Sequence, residues 1–482
     1  MFLQIRNQIS ILLPWDTGDF FNGSDFVLGP IYLTMILVFA YLGKNIVVKD
    51  PELRKYFMPG LVVKLIGSIL VGVIYAFYYK GGDTSSYFYD SSILYQAFLE
   101  SPSSFFKILL HPANNFDPEL YDYVVQMRFE NDKQAFIVSK ITGVMALLSF
   151  RTYSVSSMLY AFFSYAGVWA LFTTFCKIYP NLKRQFAIAV LFLPSVFFWG
   201  SGILKDTITF SCVGWMTWCT YNIFIKRSRV ITSVIILLLV MWLAASIKAY
   251  IVISIIPAIA LWVFLNFRNR IRSTFIKIIS GPLIFSSGLV VAYILVNSLS
   301  ADNDKYSINK FTATAQTFQA SNAVNVQGDQ ASIYDVGQGS FDGSIGSYLR
   351  VIPLSINVTL FRPYPWEIKS PVMVLSAIES IFFLFFTIRI MIRVGVLGFF
   401  RSIGRNSFVF FCMSYSLLFA FAVGFSASNF GALVRYKIPC LPFYLAALYI
   451  MNNETLQLKA KRKADRLRKK STDFILTPKT QL

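Results

Sequence analysis

The chain holds a single histidine, His111, among its 482 residues, so a metal centre built from several imidazoles is excluded. Its cysteines, Cys176, Cys212, Cys219, Cys412 and Cys440, all lie in or beside apolar runs, with no paired spacing in the polar loops. That argues against a disulfide framework and against a zinc site. Charge is scarce: 14% of residues are Asp, Glu, Lys or Arg, against about a quarter in soluble domains. Acids are the scarcer sign, 24 against 44 basic residues. No repeat of fixed period is visible. Met1 to Gly23 has no basic region leading a cleavable apolar core, so no removable signal peptide is expected and the first span itself directs insertion.

Apolar residues are abundant instead, at 56% of the chain, with 17% aromatic. Many segments reach the ~17–25 apolar residues that cross a hydrocarbon core. The fold expected is an all-α, polytopic transmembrane protein of about eleven spans. The formal charge of +20 sits mostly between the apolar runs, which is a topology signal and not a nucleic-acid surface. Membrane lipids are the expected partners of those basic loops, and no nucleic acid is.

The positive-inside bias orders the chain. Phe26–Leu42 leads into Lys44, Lys49, Arg54 and Lys55, so this loop is read as cytoplasmic and the N-terminus as outside. Gly60–Tyr79 returns to the outer face. Residues 80–152 form the first outer segment; within it Phe105-Phe106 and Leu109-Leu110 suggest amphipathic helices on the membrane surface. Ala135–Phe150, which contains Lys140, reads as re-entrant or interfacial. Spans then alternate over Tyr153–Phe175, Phe186–Gly200, Thr207–Ile225, Val230–Ser246, Ile251–Phe267 and Ile276–Val296. A second outer loop, 298–370, is rich in Ser, Asn, Gln, Gly and Asp, with Val351–Lys369 at the interface. Pro371–Ile392, Phe408–Phe425 and Ile438–Ile450 complete the transmembrane domain, 1–450. The tail, 451–482, carries a basic run from Lys459 to Lys470 and is expected in the cytoplasm against anionic headgroups.

This ordering sends the unusual polar residues to one side: Asp83, Asp90, Lys205, Asp206, Lys248, Arg362, Trp366, Glu367, Arg435 and Lys437. Charges at span ends are costly to bury and tend to mark a polar cavity. Asp83 lies in Gly81-Gly82-Asp83-Thr84-Ser85-Ser86-Tyr87, where two roles stand open. It is a helix cap after a glycine turn, or a carboxylate placed to accept a proton. Lys205-Asp206 follows an aromatic Gly/Ser turn and reads as a local ion pair or as a contact for an anionic headgroup. Arg362, in Phe361-Arg362-Pro363-Tyr364-Pro365-Trp366-Glu367, reads as a snorkelling belt residue or as a phosphate ligand. Arg435 and Lys437 run against the positive-inside bias, which favours phosphate binding.

At these residues the chain resembles the GT-C superfamily of membrane glycosyltransferases, in the branch related to bacterial protein and lipid-A glycosyl transfer. Asp83 in the first outer segment, the helical region Phe105–Leu110 beside it, and Arg435-Tyr436-Lys437-Ile438-Pro439 before a late span carry the likeness. Relatives often show two adjacent acids in the first loop, whereas here the second is Asp90. The resemblance implies a polyprenyl-phosphate-linked sugar as donor and a lipid or glycan hydroxyl as acceptor, at the outer face of the inner membrane. It implies Asp83 as the base, with Arg435, Lys437, Arg362 or Lys205 stabilising the departing phosphate. Tyr87 and Trp366 would stack on the sugar. A divalent cation, Mg or Mn, bridging carboxylate and phosphate is compatible with it, although no dedicated cage is visible. The Gly-Asp-x-x-x-Tyr stretch is also similar to O-antigen and exopolysaccharide polymerases. A flippase or transporter of lipid-linked oligosaccharide is the reading from a different class.

Overall fold

The computed structural model describes residues 21–299, 332–337, 344–427 and 429–476. Among these the regular structure is helical, apart from an isolated antiparallel bridge between Ile333 and Asn429. Helix α1, Gly23–Val47, starts in a capping box: Asn22 accepts from the Ser24 amide, and Asp25 accepts from the Asn22 amide. Asp25 also accepts from the Ser154 amide at 2.7 Å, which ties α1 to the helix that follows the first polar segment. Helix α2, Pro51–Val73, has Asp50 as its N-cap and Pro51 in its first turn, where a missing N–H costs nothing. It continues as a π turn, Ile74–Tyr78.

The polar segment after α2 folds into a small helical cap. Its parts are α3 (Asp83–Glu100), α4 (Pro102–Leu110), the single turn α5 (Tyr121–Val124) and α6 (Lys133–Ser149). They share a core of their own in Ile93, Leu94, Ala97, Phe105, Ile108, Leu120, Met127 and Phe136. Helix α4 buries Phe105 and Ile108 and exposes Phe106 and Leu110, the two-faced pattern expected of an interfacial helix. Helix α6 is the ambiguous stretch 135–150. It packs on α3 and on the next helix, and its Lys140 reaches back to the His111 carbonyl.

That next helix, α7 (Tyr153–Ile178), is the hub of the large core. Its Gly167 meets helix α10 (Lys205–Thr220) backbone to backbone; a Cβ on Gly167 would lie 2.2 Å from the Ser211 carbonyl oxygen. Small residues at such a crossing let two apolar helices approach closely. The remaining helices are α8 (Lys183–Val190), α9 (Pro194–Trp199), α11 (Val230–Ile247), α12 (Ala249–Phe267) and α13 (Thr274–Leu299). After them come α14 (Ile345–Phe361), α15 (Pro371–Val394), α16 (Val396–Arg405), α17 (Ser407–Ser426), α18 (Phe430–Tyr436) and α19 (Leu441–Leu476).

Eight of the described helices are long and apolar enough to cross a membrane; α18 with α19, bent by 64°, passes the same test as a pair, as a broken span or a re-entrant loop. The chain is therefore a helical membrane protein. Two of the expected spans take another form. Phe186–Gly200 splits into α8 and α9, because Pro194 has no N–H to donate and restricts the residue before it. Thr207–Ile225 is helical as α10 and a π turn, Tyr221–Lys226, but is rich in threonine. Its Thr207, Thr209, Thr217 and Thr220 hydroxyls donate to the main-chain carbonyls of Gly202, Asp206, Val213 and Met216. Most of the second outer loop, 300–331 and 338–343, lies outside the described residues; Val351–Phe361, expected at the interface, belongs to α14.

Candidate functional site

The glycines ahead of α3 set the site. Gly81 and Gly82 have φ of 138° and 127°, a region that favours glycine. A Cβ on Gly82 would also lie 2.8 Å from Cε1 of Tyr75. The turn they make folds the start of α3 over the π turn of α2. No side chain caps α3, so Asp83 is not spent on free amides. Its Oδ2 accepts instead from Arg435 Nη1 at 3.1 Å, across 352 positions of sequence. The same Nη1 donates to the Tyr75 hydroxyl at 2.7 Å. The Asp83 side chain is 51% exposed and that of Arg435 15%, so the pair sits at an accessible edge with the guanidinium on its inner side.

A second pair lies beside the first and is buried. Lys248, between α11 and α12, donates to Asp206 Oδ1 at 2.5 Å; Asp206 stands in the first turn of α10. The Lys248 ammonium is also 4.1 Å from the ring centroid of Tyr436, the neighbour of Arg435. Asp206 is within electrostatic reach of Arg435. Lys205, the residue before it, faces Asp132 at 3.8 Å, and Asp132 caps α6 by accepting from the Gln134 and Ala135 amides. Three cations and three carboxylates thus alternate where α2, α3, α6, α10, α12 and α18 end. A group of this kind can bind an anionic oxygen at Arg435 or Lys205 and accept a proton at Asp83.

The other expected site residues fall elsewhere. Tyr87 is 1% exposed and its ring lies 4.8 Å from that of Phe129, so as placed it packs into the large core and offers no face to a sugar. Burial pushes its hydroxyl well above the usual range. Asp90 is fully buried and accepts from the Arg128 and Phe129 amides and from Ser139 Oγ, at 2.7, 3.3 and 2.7 Å. It pins the loop after α5 to α3 and α6, a positioning role in place of the substrate contact expected. Burial raises its carboxyl to about 6 in spite of these donors.

Arg362, Glu367, Trp366 and Lys437 form a neighbouring group on the far side of α18. Arg362 is forked onto Glu367, with Nε at 2.9 and 3.0 Å from the two oxygens. Burial works to raise Glu367, but the Arg362 fork and the Tyr364 amide outweigh it and hold the carboxyl below its usual range. The guanidinium lies 5.2 Å from the Phe430 ring centroid. Trp366 is 79% exposed and stacks on Tyr364 at 4.9 Å. Lys437 is buried and donates to Ser380 Oγ at 3.2 Å and to the Arg362 carbonyl at 3.4 Å.

Some participants were not singled out from sequence. Tyr75 and Lys64 hide in the apolar run of α2; Lys64 donates to the Gly200 carbonyl. Glu379, in α15, accepts from the Ser195 amide at 3.0 Å, while its Oε1 has no hydrogen-bond partner. An ionisable residue inside a span is itself a functional signal, and it was available for Lys64 and Glu379. Among the described residues no three His, Cys, Asp or Glu side chains converge to hold a metal ion, and each carboxylate of the central group faces its own cation. Comparison with protein-family models, curated proteins and solved structures finds no match to the chain.

Proposed function

We propose that the chain is an integral membrane glycosyltransferase of GT-C type. It moves a sugar from a polyprenyl-phosphate carrier to an acceptor hydroxyl at the outer face of the inner membrane. The observation that carries the reading is the pairing of Asp83 with Arg435 beside the buried Lys248–Asp206 pair. A carboxylate on Arg435 marks where an anionic oxygen is welcome. A donor phosphate arriving there competes for the guanidinium, which binds phosphate in two-pronged fashion, and frees Asp83. The acceptor oxygen then attacks the anomeric carbon as the bond from that carbon to the phosphate oxygen breaks. The acceptor proton passes to Asp83. Charge gathers on the departing phosphate, where Arg435 and Lys205 stabilise it. Tyr75 fixes the guanidinium, and Lys248 keeps Asp206 neutralised beside it. We include the split segment α8–α9 and helix α10 among the crossings. Lys183 at one end pairs with Asp50 and Glu52 at the start of α2, whereas Lys205 lies at the Asp83 end. The N-terminus is then outside and the basic end of α19 in the cytoplasm.

The test is transfer of radiolabel from polyprenyl-phosphate sugars in membranes holding the wild type, Asp83→Asn or Arg435→Ala. Transfer by the wild type and loss in both variants, at equal membrane content, is expected. No transfer with any lipid-linked sugar overturns the proposal. A ladder of product lengths in place of one added sugar would make the chain a polysaccharide polymerase working through the same site.

A further inference from the structure

The cap holds a second concavity that the transfer chemistry does not use. It opens between the loop after α4 and the loop after α5, with about 400 Å³ of open volume, in the range of small-molecule sites. Its walls carry three amides, from Asn114, Asn115 and Asn131, and two carboxylates, Asp117 and Glu130. Phe116 and Tyr121 line it as well, with ring centroids 5.5 Å apart and an angle of 60° between planes. No lysine or arginine lines it, although the chain as a whole carries +20.

We infer that this pocket is a saccharide-binding site, the seat of a neutral glycan acceptor. Planar amides and carboxylates present paired acceptors and donors to neighbouring hydroxyls. Ring faces cover the C–H surface of a pyranose. The absence of a lining lysine or arginine disfavours a phosphate, and the six polar side chains, His111 among them, disfavour a lipid tail. The aromatic rings are free for the purpose: Phe116 is 71% and Tyr121 48% exposed, and neither belongs to the core of the cap. The walls are fixed. The Asn114 amide donates to the Glu130 carbonyl at 3.1 Å, and a His111 ring nitrogen meets the Asn115 carbonyl at 2.9 Å. Glu130 and Asn131 directly follow Arg128 and Phe129, the two amides held by Asp90 of α3. One helix thus carries Asp83 at its start and the anchor of the pocket wall two turns on. That coupling gives an acceptor chain a defined approach to the transfer site. The acceptor role rests on the transferase reading; binding of sugar does not.

The test uses the full chain in lipid nanodiscs, free of sugar detergents. Chitotriose, maltotriose, mannotriose and galactotriose are the probes, read by saturation-transfer difference NMR. At least one should show saturation of ring protons. The Phe116→Ala/Tyr121→Ala variant should lose about tenfold in affinity, as expected when two stacking rings are removed. Tyr121→Trp, which keeps a ring face, should retain binding and controls for folding. No saturation with any probe, or equal saturation in the wild type and the double-alanine variant, overturns the inference and leaves the transferase reading to the donor assay. Binding at the pocket together with no transfer from any donor would overturn the transferase reading alone.

Discussion

Removing Lys248 should cost far more than removing Lys248 and Asp206 together. Their side chains are 7% and 3% exposed and meet at 2.5 Å. Two unit charges near 4 Å attract by about 4 kcal/mol at an effective dielectric of ~20. Desolvation cancels much of that gain, so a pair of this kind adds little net stability, whereas one charge left buried alone costs about 3–5 kcal/mol. Here two features temper the loss. Asp206 lies in the first turn of α10, where the helix end favours an anion, and Arg435 is within reach. Lys248→Met should therefore destabilise by the low end, about 3 kcal/mol. Lys248→Met/Asp206→Asn should return to within about 1 kcal/mol of the wild type. The assay is reversible unfolding in mixed micelles with rising SDS, followed by tryptophan fluorescence. A coupling energy of about 2 kcal/mol or more is predicted, with little dependence on salt. If Lys248→Met is neutral, or if the two losses simply add, the pair is not the buried, mutually neutralising unit described above.

Gly82→Ala forces a Cβ onto a backbone at φ 127° and against Tyr75. A loss of about 1–3 kcal/mol is expected in the same unfolding assay, with transfer reduced because Asp83 moves. Tyr75→Phe removes one hydrogen bond to Arg435; a fall of about fivefold in transfer, near 1 kcal/mol, should be seen without a change in membrane insertion. Asp90 makes a prediction about pH. Its carboxyl is raised from an ordinary 3.8 to about 6, so between those values the folded chain holds a proton that the unfolded chain releases. Stability from this group is complete below pH 3.8 and is lost as pH rises through about 6, by about 3 kcal/mol in all. Asp90→Asn should remove that part of the pH slope; an unchanged slope would contradict it.

The helical class and eight helices long and apolar enough to cross were legible because hydropathy reports directly on the bilayer. The split at Pro194 was written in the sequence too, but a window of apolar residues hides a proline kink. The convergence of Asp83 with Arg435 was legible through charge bias alone, since the alternation of basic loops assigned both residues to one end of the helices. Asp90 and Tyr87 misled for one reason: an acid and a phenol near a candidate base look alike whether they face water or pin a loop. Only the position of Arg128, Phe129 and Ser139 tells which. Asp132 gave no signal, because a helix cap and an ion-pair partner need the same residue type.

The most direct measurement of whether Asp83 and Arg435 act as one unit is a double-substitution cycle on the transfer rate. Residues that work together are strongly non-additive. Asp83→Asn and Arg435→Lys should each slow transfer by about 10²–10³, and the two combined by little more than the worse of them. Losses that multiply would show two independent residues and contradict a shared site.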